Sequence, residues 1–162
     1  MNLEMHAVKI DIPDGCNLIL GQTHFVKTVE DLYEIMVATV PKARFGIAFT
    51  EASGPCLIRT EGNDDELIHS CVTSMQAIGA GHVFCIVMGD AFPINVLNPI
   101  KNCPEVCQIY CATANPLQVI VASTDKGWGV VGVIDGFPPK GVETDADRNE
   151  RRAMLRKMGY KR

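Results

Sequence analysis

Asn63, Asn95, Asn98 and Asn115 fall in polar stretches beside Asp64, Asp90, Pro93, Pro99 and Pro116, where the ends of regular elements usually hold ligands. An asparagine amide sets a donor beside an acceptor, the pair that reads an adenine edge, and carboxylates suit ribose hydroxyls. The same residues have structural uses, Asn63 as a helix cap and Asn98 and Asn115 as turn formers before proline. Spacing leaves both uses open. Cys103, Cys107 and Cys111 recur every four residues, but Pro104, Val106 and Ile109 favour a strand, and a closed tetrahedral site would lack a fourth ligand. Buried, reduced cysteines are expected there, and no two of the four histidines are spaced as metal ligands. Gly127-Trp128-Gly129-Val130-Val131-Gly132 formally matches GxGxxG. A dinucleotide fingerprint must open a helix, whereas strand and turn residues follow here. Small residues beneath a closely packed neighbour are the expectation instead.

The elements that would position these groups follow from periodicity. His6, Val8, Ile10 and Ile12 alternate on a first strand, and Pro13-Asp14-Gly15 turns the chain so that residues 17–20 can return antiparallel. Thr28, with Asp31 three residues on, opens a helix whose stripe is Val29, Leu32, Tyr33, Met36, Val37 and Val40, closed by Pro41. Residues 44–50 read as a strand with Phe45, Ile47 and Phe49 on one face. Gly46 and Ala48 leave the other face small enough for a close neighbour, and residues 56–60 can pair back. Asn63 and Glu66 then cap a helix with the stripe Leu67, Ile68, Cys71, Val72, Met75 and Ile78. Residues 82–88 are apolar on both faces, as a central strand requires. A short helix or ordered loop follows at 92–98, three strands at 106–112, 117–124 and 128–134, and a basic helix at 144–158. The order ββαββαβ(α)βββα predicts an α+β fold with a mixed β-sheet and packed helices, one domain over 1–162.

Composition sets the class. Hydrophobic residues make up 47% and charged residues 21%, which excludes a largely disordered chain, and no apolar run approaches the roughly 20 residues that span a bilayer. Without a basic then apolar opening segment no secretory leader is expected, and the seven scattered cysteines fit a cytoplasmic protein. The net charge of −4 conceals an asymmetry. Residues 148–162 hold seven basic side chains against Glu150, a local +6. The other 147 residues carry eight basic and 18 acidic side chains, or −10. An acidic body makes nucleic acid an unfavourable partner, and residues 148–162, within the basic C-terminal segment 144–162, are expected to lie on the acidic body of their own or a neighbouring subunit.

Several blocks resemble one family. They include Gly21-Gln22-Thr23-His24-Phe25-Val26-Lys27-Thr28, Phe45-Gly46-Ile47-Ala48-Phe49-Thr50-Glu51-Ala52-Ser53-Gly54, Gly62-Asn63-Asp64 and Ala80-Gly81-His82. Asp90-Ala91-Phe92-Pro93-Ile94-Asn95-Val96-Leu97, Ala112-Thr113-Ala114-Asn115-Pro116 and Val133-Ile134-Asp135-Gly136-Phe137 belong with them. The chain is similar over nearly its whole length to the adenosine-specific kinases of archaea and bacteria. The resemblance implies a small α+β protein, a homotrimer, that binds adenosine or AMP and works through a phosphorylated histidine. ATP is then the phosphoryl donor, with Mg2+ beside it. A sensor that binds adenosine nucleotides without turnover is the alternative from another class.

Under that resemblance His82 and His24 are the histidines expected to do the chemistry. His82 follows Gly79-Ala80-Gly81 at the mouth of the most buried strand, where the ring is rigidly placed to accept a phosphoryl group. His24 precedes a helix start beside Lys27 and would support it. His6 and His69 are read as structural. Lys27 and Lys101 are the expected phosphate partners. Asn63, Asp64, Asn95, Asn98, Asn115, Glu51 and Asp135 are the expected substrate contacts, and Asp90 and Glu51 the expected magnesium ligands.

Overall fold

The computed structural model describes residues 2–162. Its elements are β1 (Glu4–Ile10), β2 (Asn17–Thr23), α1 (Thr28–Thr39), β3 (Arg44–Thr50), β4 (Ile58–Gly62), α2 (Asp65–Ile78) and β5 (Val83–Gly89). They continue with α3 (Pro93–Lys101), β6 (Val106–Thr113), β7 (Leu117–Ser123), β8 (Trp128–Asp135) and α4 (Asp145–Lys157). The class is α+β and the order is the one periodicity predicts. The pairing is antiparallel throughout and divides into two sheets, β1-β7-β8 and β4-β3-β5-β2-β6, in place of one mixed sheet.

The division corrects one pairing. β2 does not return beside β1; it lies between β5 and β6, while β1 pairs β7. The physical reason is burial on two faces. Leu18 and Leu20 point one way and Ile19 the other, so β2 needs cover on both sides, whereas β1 has a single apolar face. The five-stranded sheet is thus a central layer. On one side Ile19, Phe45, Ile47, Phe84, Ile86 and Met88 pack on Leu32 and Met36 of α1 and on Val96 and Ile100 of α3. On the other, Leu18, Leu20, Cys85 and Val87 pack on Leu67, Cys71, Met75 and Ile78 of α2 and on Val119 and Val121 of β7. β5 is buried from end to end.

α2 lies so close to β3 that a Cβ on Gly46 would stand 2.2–2.5 Å from the backbone of Leu67 and Ile68. This is the close approach that the small residues of β3 allow. The helix caps differ from the expectation. α1 starts after Lys27, with Thr28 buried inside the helix and its hydroxyl donating to the Phe25 carbonyl. α2 is capped by Asp64, whose carboxylate accepts from Leu67 N at 3.1 Å. Asn63 precedes the cap and ties the loop to β3, accepting from Phe45 N at 2.8 Å and donating to the Ala43 carbonyl at 2.9 Å. Five cysteines are buried as expected, but Cys56 and Cys107 are exposed; all seven are free. α4 and the segment leading to it stand away from the body, and α4 buries none of its residues. Packing of the basic segment on its own acidic body therefore does not occur.

Candidate active site

The ends of the central sheet gather different side chains. At one end β2 and β3 finish, β5 starts, and residues 23–27, 51–57 and 79–82 meet. His82 lies here in the left-handed region at φ +58°. Its N–H donates to the Thr50 carbonyl at 2.7 Å, and its carbonyl accepts from Thr23 N at 3.0 Å. The Thr50 hydroxyl accepts from Val83 N and donates to the carbonyl of Ala80, closing the turn around the histidine. A non-glycine residue in that conformation persists only where its surroundings fix it, and these bonds do so. The half-buried ring stacks on Phe49, with centroids 6.0 Å apart and planes 22° from parallel.

His24 reaches the same place from the end of β2. Its backbone N–H donates to the Glu105 carbonyl at 3.2 Å and its exposed ring lies beside Phe25. His24 and His82, with Phe49, Glu51 and Ser53, line one cavity of about 200 Å3. Among the described residues neither ring makes a side-chain hydrogen bond. A wider cleft of about 500 Å3 adjoins it through Glu51 and Ala52 and runs past Gly79-Ala80-Gly81 to Lys126 and Trp128. The Trp128 indole is held by His6, stacked at 5.1 Å, and His6 Nε2 is 2.9 Å from Ser123 Oγ.

The charges at this end are mostly spoken for. Glu51 accepts from Leu57 N at 2.9 Å and from Arg59 at 2.8 Å; these bonds hold its carboxyl below the usual range, the backbone donor first. Lys27 bridges Asp31 and the buried Glu105, so its ammonium is neutralised and does not stand free as a phosphate partner. Cys103 Sγ donates to Glu105 at 2.9 Å; with Lys27 this lowers Glu105 to about 2, while burial pushes the Cys103 thiol up to about 11. Asp31, Cys103 and Glu105 are close enough to share a cation, but the Lys27 ammonium already binds both carboxylates.

Other expected contacts lie elsewhere. Asp64 and Asp90 meet at the opposite end of the sheet, about 20 Å away by strand length, where Arg44 bridges them at 3.0 and 3.2 Å. Asn63 is near them and wholly engaged by backbone. Asn115 and Thr113 both donate to Asp135 Oδ1, a closed cluster at the end of β6. Asn95 accepts from Phe92 N and caps α3, Asn98 is exposed on that helix, and Lys101 is exposed in its last turn. Glu51 and Asp90, at opposite ends and each held by an arginine, do not fit together as a magnesium site. Of the expected residues the structure therefore brings together His82, His24 and Glu51. Sequence reasoning missed Lys126, Trp128 and Arg59 as site neighbours, since only the folded hairpin and β4 carry them there.

The chain belongs to the adenosine-specific kinase family, whose model matches residues 8–161. It is also similar to a solved structure, the crystal structure of the PH1918 protein from Pyrococcus horikoshii OT3. Identity is 46% over 99% of each chain, with a TM-score of 0.95. A score that high takes in the C-terminal segment 136–162, one sixth of the chain. No curated protein matches the chain. Among the described residues no helix is long and apolar enough to cross a membrane.

Proposed function

We propose that the chain transfers the γ-phosphoryl group of ATP to adenosine through a phosphohistidine on His82. The observation that carries this reading is the convergence of His82 and His24, two rings with no protein hydrogen bond, on one cavity. In the first step a ring-nitrogen lone pair of His82 attacks the γ-phosphorus. The bond to the bridging oxygen breaks, ADP leaves with that oxygen, and an N–P bond forms. In the second step the adenosine hydroxyl oxygen attacks the same phosphorus, the N–P bond breaks, and its electron pair returns to the ring. The hydroxyl proton passes to a ring nitrogen of His24, giving AMP. Splitting the transfer lets one rigid nucleophile serve two partners. Rigidity favours His82 over His24, because misplacement by about 1 Å costs about 100-fold in rate. The adjoining cleft supports the nucleoside, with Trp128 beside it as an aromatic wall.

Protein incubated with γ-labelled ATP, with and without adenosine, tests the reading. Label is expected on the protein without adenosine and on AMP with it. Saturable adenosine binding with no label on either overturns it in favour of a nucleotide-binding sensor.

A further inference from the structure

The wide cleft beside the histidine cavity leaves a ligand few polar partners. It encloses about 500 Å3, within the roughly 300–1,000 Å3 of small-molecule sites. Of the polar side chains that line it, Thr50 commits its hydroxyl to Ala80 and Val83, and the Glu51 carboxylate is bound by Leu57 N and Arg59. Lys126 and the Trp128 indole bring donors only. Gln76 is different. Its amide sets a carbonyl oxygen beside an NH2 group, it is exposed, and among the described residues its side chain makes no hydrogen bond.

Local structure fixes where that amide stands. Gln76 lies in the last turn of α2, and Gly79, three residues on, ends the helix in the left-handed region at φ +65°. Residues three apart share a helix face. A Cβ on Gly79 would touch the six-membered ring of Trp128 at 3.4 Å, so Gln76 stands one turn from the indole, on the side of the helix that meets it. The indole is fixed in turn by His6 stacked on it. α2 has no basic residue in its last turn, so its own side chains leave the negative end of its dipole open to the cleft. That end favours a donor on the ligand and disfavours an acceptor. Away from Trp128, Glu51 and Ala52 line the histidine cavity as well as the cleft. A nucleoside with its ribose at that junction places its base beside Gln76 and Trp128.

We propose that Gln76 selects the base, reading the 6-amino group and N7 of a 6-aminopurine. Gln76 Oε1 accepts from the amino group and Nε2 donates to N7, the pairing by which an amide side chain recognises adenine. A 6-oxopurine offers acceptors at both positions. Nε2 then serves one of them, and Oε1 is left against an oxygen with no proton between. The open end of α2 disfavours the same oxygen. This selection rests on the cleft seating the nucleoside, as in the reading above, and does not depend on phosphoryl transfer at His82.

Calorimetric binding of adenosine and of inosine, without ATP, to the full-length wild type, Gln76→Ala and Gln76→Arg tests it. Gln76 is exposed on its helix, and far-UV circular dichroism checks that the variants keep the fold. The wild type is expected to prefer adenosine by about 5- to 150-fold, the discrimination of one bidentate pair. Gln76→Ala should lose most of that ratio by weakening adenosine while inosine binding stays as it was. Gln76→Arg, whose parallel donors match O6 and N7 of a 6-oxopurine, should invert the preference. A wild type that binds both nucleosides alike, or neither, overturns the proposal, as does an adenosine preference retained in Gln76→Ala. Equal weakening of the two nucleosides in Gln76→Ala, the mark of lost packing alone, overturns it too, and so does a Gln76→Arg protein that gains nothing on inosine. A preference that follows Gln76 while γ-labelled ATP labels neither protein nor AMP keeps this selection and removes the kinase reading. Label transfer with an unchanged ratio does the reverse.

Discussion

Thr23 N–H donates to the carbonyl of His82 at 3.0 Å, so the residue just before one cavity histidine holds the backbone of the other. The two rings are therefore not independent loop groups. β2 ends and β5 begins as paired strands, and the ladder that sets Gln22 opposite Val83 continues one step into the site. Thr23 is itself fully buried, its hydroxyl donating to the Glu105 carbonyl at 2.9 Å. Glu105 thus anchors both Thr23 and His24, through one carbonyl oxygen.

This geometry predicts different outcomes for the two histidines. His82→Gln should abolish acid-labile labelling of the protein by ATP. His24→Gln should keep the label while slowing its transfer to adenosine by about 100-fold, the size of a lost general base. Quench-flow with labelled ATP separates the steps. Label lost from His24→Gln and kept in His82→Gln would reverse the assignment.

Glu105 should set a pH-dependent part of the stability. Its carboxyl is lowered from 4.5 to about 2 by the Cys103 thiol and the Lys27 ammonium. A depressed carboxyl stabilises the fold fully above its unfolded value and loses that contribution as pH falls through the folded one. Glu105→Gln is expected to cost about 1–3 kcal/mol at pH 7. The gap from wild type should close between pH 4.5 and about 2. Urea unfolding across that range checks it, and a pH-independent gap would contradict the ionic role.

Much of the fold was legible because periodicity reports burial. The stripe Leu67, Cys71, Met75 and Ile78 defines α2 before any contact is known, and the unbroken apolar run of β5 marks a strand covered on both faces. Pairing was not legible, because alternation says which face is buried and nothing about the neighbour across the ladder; β2 shows this. At the site, the glycine–histidine junction at 81–82 was readable as a strand mouth. The neutralisation of Lys27 was not, since Glu105 is 78 residues away in sequence. Asn63 and Asn95 look alike as free amides in sequence, and both prove engaged by backbone.

Gly46 gives a test of the packing that carries β3 to the site. Gly46→Ala places a Cβ against the α2 backbone at 2.2–2.5 Å, which no rotamer change relieves. The helix must move off the sheet, and a loss of about 3 kcal/mol or more is expected. Thermal unfolding monitored by circular dichroism measures it. A near-neutral effect would mean that α2 and β3 are not in contact as described.

The single tryptophan of the chain stands at the far wall of the cleft, which makes ligand entry directly visible. Trp128 is 45% exposed, backed by His6 on β1, and shares the cleft with Lys126 and the Gly79-Ala80-Gly81 turn. If adenosine occupies this cleft, the indole changes its surroundings when the nucleoside binds, and its emission should shift saturably with added adenosine. Base–aromatic stacking is worth about 1–3 kcal/mol, so Trp128→Leu should weaken binding by about 5- to 150-fold, read by calorimetry. Labelling of His82 by ATP alone should persist in that variant if the cleft seats only the acceptor. Adenosine binding that leaves Trp128 emission unchanged, with undiminished affinity in Trp128→Leu, would place the nucleoside elsewhere and leave the cleft without this role.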